Sequence, residues 1–445
     1  MLFRQFVDDD LGCASYLIGD ESSGEAVLVD PVYAVDQYLE SADRESVRIV
    51  RVLETHTHAD HLSGHGRLAL DHDIPVSVHP AAEPEHPYDP LADGGEIAVG
   101  AVCIRVLHTP GHRPEHCAFA VVDTERADEP WLTLTGDSLF VGDTGRPDLA
   151  VEAVEGARAL YGSLQRLLEL SDGVEVYPGH VAGSLCGSGM SSKASSTIGF
   201  ERRFNHKLAR ADEEEFVSEA IRAGVRPPNM ERIVELNRGP FVGSPAPITP
   251  LNGDGGDAIL DVRPAQAFAA GHVRGALSVP VGGGGFATKA AFVLPQGERV
   301  VIHAADDEQA RRAAVGLRSV GILDLLGYLL SPPAQEEAPA VDLEELDRLL
   351  EADQVEVVDV REPHERDAGY IPGSRNIPYR LIREWADDLE GGKPVVTICS
   401  SGSRAGVAAS VLVVAGVDAR PVLDGGIQDW ADRGGKTVSF RRCGS

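Results

Sequence analysis

The chain has 445 residues, which is enough for about three domains of ordinary size. Its formal net charge of −30 argues against nucleic acid as a partner and favours a well-solvated surface. It contains no apolar run of the roughly 18 residues that a membrane span requires, and residues 1–10 lack the pattern of a signal peptide. We therefore expect a cytoplasmic protein without a membrane partner.

The first predicted elements end in a dense set of metal-type ligands. The apolar run Val47–Leu53 predicts a β-strand, and three imidazoles and a carboxylate follow it closely. They belong to His56, His58, Asp60 and His61. Imidazole nitrogen and carboxylate oxygen suit zinc, iron or manganese, and a strand end holds such ligands on a rigid scaffold. The segment predicts a metal site rather than a few solvated histidines on a loop.

Three later segments repeat this pattern. The runs Val102–Leu107, Trp131–Thr135 and Val174–Tyr177 each predict a strand that leads into a ligand-type residue beside glycine. Those residues are His112, Asp137 and His180. A glycine at such a position lets the backbone turn sharply and approach a bound ion. The repetition indicates that the four strand ends converge.

These seven positions resemble the metallo-β-lactamase superfamily, which has an αββα sandwich and a His-x-His-x-Asp-His motif followed by His, Asp and His at later strand ends. The resemblance covers about the first half of the chain. The superfamily includes two-zinc hydrolases, such as the lactamases and glyoxalase II, and also the mononuclear iron persulfide dioxygenases. Ligand identity alone does not choose between these activities.

The sequence around the ligands is similar to that of the persulfide dioxygenases. The similar segments are Gly136–Leu149, Pro178–His180 and Thr197–Glu201. This resemblance implies one Fe2+ per chain, held by His56, His112 and Asp137, with open positions for O2 and a substrate sulfur. The other motif residues would line the cavity without binding metal; they are His58, Asp60, His61 and His180. In the alternative, a two-zinc thioester hydrolase, Asp60, His61 and His180 would hold a second Zn2+ with Asp137 as the bridge.

Arginines near these motifs are candidates for binding an anionic persulfide, because the overall negative charge of the chain repels anions. The candidates are Arg146, Arg202 and Arg203. We expect that replacing Arg202 and Arg203 by Ala raises KM. The Ser- and Gly-rich tract Gly183–Thr197 is predicted to be a loop, either beside the metal pocket or as a plain connector.

The second half of the chain contains an internal repeat, in which residues 260–280 align with residues 358–378. Asp261-Val262-Arg263 corresponds to Asp359-Val360-Arg361. Two copies at a domain-sized spacing indicate duplicated small domains rather than a solenoid. Segments rich in Pro and Gly mark the boundaries, and they give domains at residues 1–240, 255–330 and 340–440.

Only the second copy retains a reactive centre. A predicted strand ends at Ile398, Cys399 follows it, and a helical pattern begins near Gly402. Helix N-termini and loop N–H groups favour a thiolate and bind anions, and the guanidinium of Arg404 suits an oxyanion. A catalytic thiol explains this glycine turn and this arginine better than a buried structural cysteine does.

This half resembles the rhodanese family of sulfurtransferases over residues 255–440, through its Asp-Val-Arg, Gly-x-Ile-Pro-Gly and Cys-x-x-Gly-x-Arg motifs. The loop from Cys399 to Arg404 has six residues, the length expected for sulfane sulfur, whereas the related phosphatases carry a longer loop. The first copy has His303 to Asp307 in this place and no cysteine. The resemblance implies a degenerate rhodanese-like domain, serving as a spacer or docking surface, followed by an active one.

Together the resemblances imply an α/β fusion protein for sulfide detoxification. The first domain would oxidise a low-molecular-weight thiol persulfide with O2 to sulfite, and Cys399 with Arg404 would transfer sulfane sulfur to that sulfite, giving thiosulfate. A tether raises the local concentration of the shared product. A sulfur-carrying module with an inactive front domain is a weaker hypothesis, because all seven ligand positions are filled.

Two further expectations concern assembly and redox state. We expect the chain to form a homo-oligomer. Its six cysteines show no paired or zinc-ribbon spacing, which agrees with a reducing compartment. Cys186 and Cys443 are interpreted as incidental.

Overall fold

A computed structural model describes residues 1–147, 152–181, 191, 193–208, 212–221, 227–253 and 256–440. The chain divides into two compact units, namely Met1–Pro245 with Arg318–Gly321, and Ala246–Leu317 with Ile322–Ser445. Most of the tract Gly183–Thr197, the end of the segment Gly136–Leu149, and both Cys186 and Cys443 lie outside the described residues.

The first unit contains two six-stranded sheets. One has the order β1 (Leu2–Val7), β2 (Ala14–Asp20), β3 (Glu25–Val29), β4 (Arg48–Leu53), β5 (Val76–Val78) and β6 (Asp89–Pro90). The other has the order β12 (Ser196–Thr197), β11 (Glu175–Pro178), β10 (Leu132–Gly136), β9 (Cys117–Asp123), β8 (Val102–His108) and β7 (Glu96–Val99). Strands β3 to β6 pair in parallel, as do β10 and β11, and the other pairs are antiparallel.

Within the described residues of this unit, six helices accompany the sheets. They are α1 (Asp36–Glu45), α2 (His65–His72), α3 (Ala153–Leu167), α4 (Ile198–Phe204), α5 (Glu213–Ala220) and α6 (Met230–Arg238). No helix in the described part of the chain is long and apolar enough to span a bilayer.

Alternating side chains place the main core of this unit between the sheets. On β9, Phe119 and Val121 share a buried cluster with Tyr16 and Ile18 of the first sheet. Their neighbour Ala118 faces the opposite way, into the cluster beneath α3. Successive side chains of a strand point to opposite faces of the sheet. A strand that has another sheet on one face and a helix on the other is therefore apolar on both faces. The result is the αββα sandwich predicted from the sequence.

The second unit contains two four-stranded parallel sheets with the same strand order. The first is β14 (Leu277–Ser278), β13 (Ala258–Asp261), β15 (Val300–Ala304) and β16 (Leu325–Leu330). The second is β18 (Arg375–Asn376), β17 (Glu356–Asp359), β19 (Val395–Ile398) and β20 (Ala419–Pro421). The helices are α7 (Ala265–Ala270), α8 (Phe286–Val293), α9 (Asp307–Ser319), α10 (Leu343–Glu351), α11 (Pro363–Ala368), α12 (Ser403–Val414) and α13 (Ile427–Asp432). This architecture confirms the predicted duplication.

The repeated Asp-Val-Arg motif has the same structural role in both copies. Asp359 is fully buried at the end of β17, and its Oδ2 accepts a hydrogen bond from Arg361, 2.7 Å away. The same guanidinium donates to the carbonyl of Gly369 at 2.7 Å. Equivalent contacts occur in the first copy among Asp261, Arg263 and Gly271. A buried carboxylate requires such a partner, and the motif fixes each strand end to the following glycine turn.

Candidate metal centre and thiol loop

Three ligand-type side chains converge in the first unit. His56 follows β4, His112 lies in the loop after β8, and Asp137 follows β10. All three are buried, and one ligand atom from each lies within 4.8 Å of the others. The Nε2 atom of His112 is 3.5 Å from Oδ2 of Asp137. We call these residues the ligand trio.

Hydrogen bonds to the outer ring nitrogens set the tautomer of both histidines. The Nδ1 of His112 lies 2.9 Å from the carbonyl oxygen of Arg146, which can only accept, so this nitrogen carries the hydrogen. The Nδ1 of His56 lies 2.9 Å from the hydroxyl of Thr55, which itself donates to Asp30 at 2.8 Å. The hydroxyl must therefore accept from His56. Both Nε2 atoms are left with a lone pair for a metal.

Asp137 is positioned by two further histidines. Its backbone N–H donates to Nε2 of His116 at 3.0 Å, and burial lowers the pKa of His116 to about 3, so that ring is a neutral acceptor. The Nδ1 of His180 lies 2.8 Å from Oδ1 of Asp137. Burial alone would raise the pKa of Asp137, but the charge and hydrogen bond of His180 hold that pKa well below its usual range.

The second carboxylate oxygen of Asp137 supports a metal in the ligand trio. This Oδ2 is buried and has no hydrogen-bond partner among the described residues. An ionised oxygen in that condition is costly unless a cation compensates it. Two imidazole nitrogens with free lone pairs face the same space. The donor set therefore fits a divalent metal with two nitrogen ligands and one oxygen ligand.

His58, the second histidine of the first motif, belongs to a different cluster. Its Nε2 lies 3.1 Å from Oε2 of Glu54 and 3.3 Å from Oδ1 of Asp30, and all three side chains are buried. Glu54 also accepts hydrogen bonds from Ser63 at 2.5 Å and bonds to His65 at 2.9 Å. His58 compensates two buried carboxylates behind the ligand trio.

A second group beside the ligand trio contains a cysteine. The sulfur of Cys13 lies 3.3 Å from Nδ1 of His61, 3.4 Å from Oδ2 of Asp60 and 3.4 Å from Nε2 of His180. His180 also reaches Asp60, with 2.7 Å between Nε2 and Oδ2. Burial, followed by the charge of Asp60, raises the pKa of Cys13 well above its usual value. Cys13, Asp60 and His61 could together surround one ion.

Sequence reasoning did not identify five residues of this region, which are Cys13, Asp30, Glu54, Thr55 and His116. Asp30 follows β3 directly, so the strand-then-acid pattern that revealed Asp137 could have revealed it too. Cys13 and His116 carry no such local signal, because their roles arise from contacts with distant strands.

Two of the predicted substrate arginines have partners away from the ligand trio. The guanidinium of Arg202 pairs with Asp172, which lies before the start of β11, whereas His180 lies beyond the end of that strand. Arg203 packs its guanidinium 5.2 Å from the ring centre of Phe204, its neighbour on α4. The fold draws Arg202 to the opposite end of β11 from the ligands, and the expected role in substrate binding gains no support.

The Cys399 loop follows β19 in the second unit. Its thiol is buried, and the N–H of Gly402 donates to the sulfur at 3.1 Å. Gly402 has a φ of +87°, and a Cβ there would lie 2.1 Å from the carbonyl oxygen of Leu423. Only glycine fits this position. The turn brings the start of α12 to the sulfur, as expected from the strand, glycine turn and helical pattern of this segment.

Arg404 is engaged by a carboxylate within this loop. Its guanidinium makes a bidentate pair with Glu365 of α11, at 2.6 and 2.7 Å, and also donates to Ser400 at 3.0 Å. Burial opposes ionisation of Glu365, but Arg404 lowers the pKa of that carboxyl to about 2. Arg404 therefore braces the loop against α11, and any bound oxyanion would share its charge with Glu365.

The equivalent loop of the first copy is closed by its own side chains. The pairing of His303 with Asp261 and of Ile398 with Asp359 places Ala304 where the second copy has Cys399. Asp306 accepts from the N–H of Gln309 at 2.8 Å, and Gln309 accepts from the N–H of Ala305 at 2.8 Å. This loop has neither a thiol nor free donors at those two positions.

Comparison with known proteins matches the two halves of the chain to two different families. Residues 8–180 match the metallo-beta-lactamase superfamily, and residues 249–329 and 342–433 match the rhodanese-like domain. The mitochondrial persulfide dioxygenase ETHE1 of Bos taurus is 30% identical over 222 residues, which cover 48% of this chain and 78% of that protein. A probable metallo-hydrolase of Burkholderia pseudomallei is 28% identical over 256 residues, which cover 49% of this chain and 84% of the relative.

One solved structure extends the similarity beyond the first unit. The crystal structure of a metallo-beta-lactamase from Staphylococcus aureus has a TM-score of 0.69 and 29% sequence identity, and it covers 74% of this chain and 99% of its own. The chain therefore belongs to the metallo-beta-lactamase superfamily, whose fold binds metal. With persulfide dioxygenase relatives at its front and two rhodanese-like domains behind, it matches a persulfide dioxygenase–rhodanese fusion.

Proposed function

We propose that the first unit oxidises a low-molecular-weight thiol persulfide with O2 to sulfite, using one Fe2+ held by His56, His112 and Asp137. This proposal rests on the ligand trio. In each of its residues one polar side-chain atom is hydrogen-bonded to a neighbour, and a second one lies within 4.8 Å of the ligand atoms of the other two. The trio supplies two histidines and one carboxylate, the ligand set of non-haem iron oxygenases, while the Nε2 of His58 bonds to Glu54 and Asp30.

An Fe2+ ion in the trio would supply the redox chemistry between the persulfide and O2. The reaction balances with one water: the terminal sulfur is oxidised, O2 is reduced, and sulfite, thiol and a proton are released. His56 and His112 contribute neutral nitrogens, and His180 keeps Asp137 ionised and oriented. Arg146 lies next to the trio, because its carbonyl oxygen accepts a hydrogen bond from His112. We propose that its guanidinium attracts the anionic persulfide.

We propose that the last domain transfers sulfane sulfur through Cys399. The thiolate attacks the outer sulfur of a second persulfide, the sulfur–sulfur bond breaks, and the carrier thiol leaves with a proton. Sulfite then attacks the resulting Cys399 persulfide, and thiosulfate leaves as the thiolate is regenerated. The N–H of Gly402 supports this role, because it already donates to the sulfur. Arg404 keeps the loop in place through Glu365.

A two-zinc thioester hydrolase is the second candidate, and one observation favours it. Cys13, Asp60 and His61 form a further group of ligand atoms beside the trio, and His180 adjoins it. Those three residues would hold the second zinc, and His180 connects them to Asp137 of the trio. The two candidates differ in metal content, since the dioxygenase needs one iron per chain and the hydrolase needs two zincs.

The test is oxygen uptake by the iron-loaded chain on addition of glutathione persulfide, with sulfite and thiosulfate measured in the same sample. We expect rapid uptake and thiosulfate as the product. Cys399→Ser should take up O2 at the same rate but release sulfite, because only the second step needs the thiol. No uptake with one iron bound would overturn the dioxygenase, and a thioester screen with the zinc-loaded chain would follow.

A further inference from the structure

The middle rhodanese-like domain places a lysine at the edge of the Cys399 loop. Lys289 of α8 donates from Nζ to the hydroxyl of Ser403 at 3.2 Å and to the carbonyl of Gly284 at 2.5 Å. Ser403 is the first residue of α12, and its predecessor Gly402 donates to the sulfur of Cys399. A cation from the domain without a thiol therefore stands at the thiol loop of the other domain.

Packing between the two domains holds α8 in this place. Phe292 of α8 packs against Tyr379 of the last domain, with 5.9 Å between ring centres. At the end of the same helix, the carbonyl of Val293 accepts a hydrogen bond from Arg383 at 2.5 Å. A single hydrophobic cluster contains buried residues of both domains. The middle domain is thus part of the structure around Cys399 rather than a spacer at a distance.

The charged groups around the Cys399 loop determine how strongly an added cation affects the approach of an anion. Arg404 already has its charge compensated by Glu365, as described above. A further carboxylate, Asp424, lies next to Leu423, whose carbonyl packs on Gly402, and it bonds to Gln266 of the middle domain at 3.3 Å. The whole chain carries a net charge of −30. A doubly charged oxyanion that approaches Cys399 therefore meets a repulsive field.

We propose that Lys289 attracts sulfur oxyanions such as sulfite and thiosulfate to Cys399, so that the degenerate domain determines the charge specificity of the active one. The inference rests on the proposed sulfur transfer at Cys399. The contacts through Ser403 and Gly402 place the ammonium on the order of 10 Å from the sulfur, about one Debye length at physiological salt. One unit charge at that distance changes the local concentration of a divalent anion by about three- to tenfold.

The kinetic test is sulfur transfer from thiosulfate to cyanide by the full-length chain. Lys289→Met should raise KM for thiosulfate about three- to tenfold, change kcat by less than about twofold, and weaken the dependence of kcat/KM on ionic strength. Lys289→Arg should restore the wild-type KM. The matched control is Lys393→Met. Lys393 pairs with Asp353 before the start of β19, about 20 Å along the extended chain from Cys399, and its loss should leave KM unchanged.

A chemical test reports on the same charge without catalysis. Alkylation of Cys399 is followed by mass spectrometry of its peptide, with anionic iodoacetate and neutral iodoacetamide as probes. Iodoacetate carries one charge, so Lys289→Met should slow its reaction about two- to threefold, and the iodoacetamide reaction should stay unchanged. Equal slowing of both reagents, or a fall in kcat at constant KM, would indicate a purely structural lysine and overturn the inference. Absence of transfer by the wild type, with the alkylation difference retained, would overturn the proposed rhodanese activity alone.

Discussion

The Nδ1 atom of His180 lies 2.8 Å from Oδ1 of Asp137, and this bond leaves Oδ2 of the same carboxylate facing His112. One residue of the sequence motif thus orients another without joining it in the ligand trio. The arrangement distinguishes the ligand trio from His180, which positions one of its members, and it makes the proposed single-metal site testable.

Replacing His180 by Asn should leave iron binding largely intact while oxygen uptake with glutathione persulfide falls about 10- to 100-fold, because loss of an orienting partner typically has that effect. Metal content measured by elemental analysis, together with an oxygen electrode, gives both quantities. Asp137→Ala is the matched control and should lose the metal altogether. If His180→Asn removed one of two bound metals, the zinc hydrolase would be favoured instead.

His58→Gln should reduce the free energy of unfolding by about 3–5 kcal/mol, because the buried carboxylate of Asp30 loses its imidazole partner and Glu54 keeps only His65. Denaturant unfolding of the metal-free chain measures the effect. Adding Asp30→Asn to this variant should recover much of the loss, since the carboxylate that has lost its imidazole partner is then replaced by a neutral amide. A His58→Gln chain of wild-type stability that fails to bind metal would show that His58 is a ligand.

Cobalt substitution distinguishes the roles of Cys13. Burial and the neighbouring Asp60 raise the pKa of this thiol, so a chain with a single metal in the trio should keep it protonated. The Co2+ protein should then contain one cobalt per chain and show no thiolate-to-cobalt charge-transfer band in the near ultraviolet. Cys13→Ser should give the same spectrum. A second cobalt with such a band, lost in Cys13→Ser, would place Cys13 in a second metal site.

The Glu365–Arg404 pair should make the second unit less stable in acid. The pKa of Glu365 falls from its ordinary value of 4.5 to about 2 in the folded chain, so the stabilisation is fully present above about pH 4.5 and disappears as the pH falls through about 2. We expect about 1–2 kcal/mol at neutral pH, allowing for partial exposure of the pair.

Denaturant unfolding of wild type and Glu365→Gln at pH 6 and pH 3 tests this expectation. The wild type should lose part of its advantage over the variant at the lower pH, because protonation removes the same charge that the substitution removes. A stability difference between the two chains that is the same at pH 6 and at pH 3 would contradict the assignment.

Local sequence patterns determined the sandwich, the duplicated rhodanese-like domains and the positions of the ligand-type residues. Strand periodicity and the turn residues that follow it are short-range properties, so the ends of β4, β8, β10 and β11 could be predicted from adjacent residues. The same holds for the Asp-Val-Arg motif, whose aspartate and arginine bond across two positions.

Only the tertiary structure decided which of these residues act together. His58 is drawn to Asp30, Arg202 to Asp172 and Arg404 to Glu365, and each partner lies on another element. Cys13 enters the first site from the start of β2, and Lys289 reaches the thiol loop from a different domain. Such contacts join residues far apart in sequence, and burial forces each charge to find a partner across elements. Neighbouring residues therefore carry no pattern that predicts them.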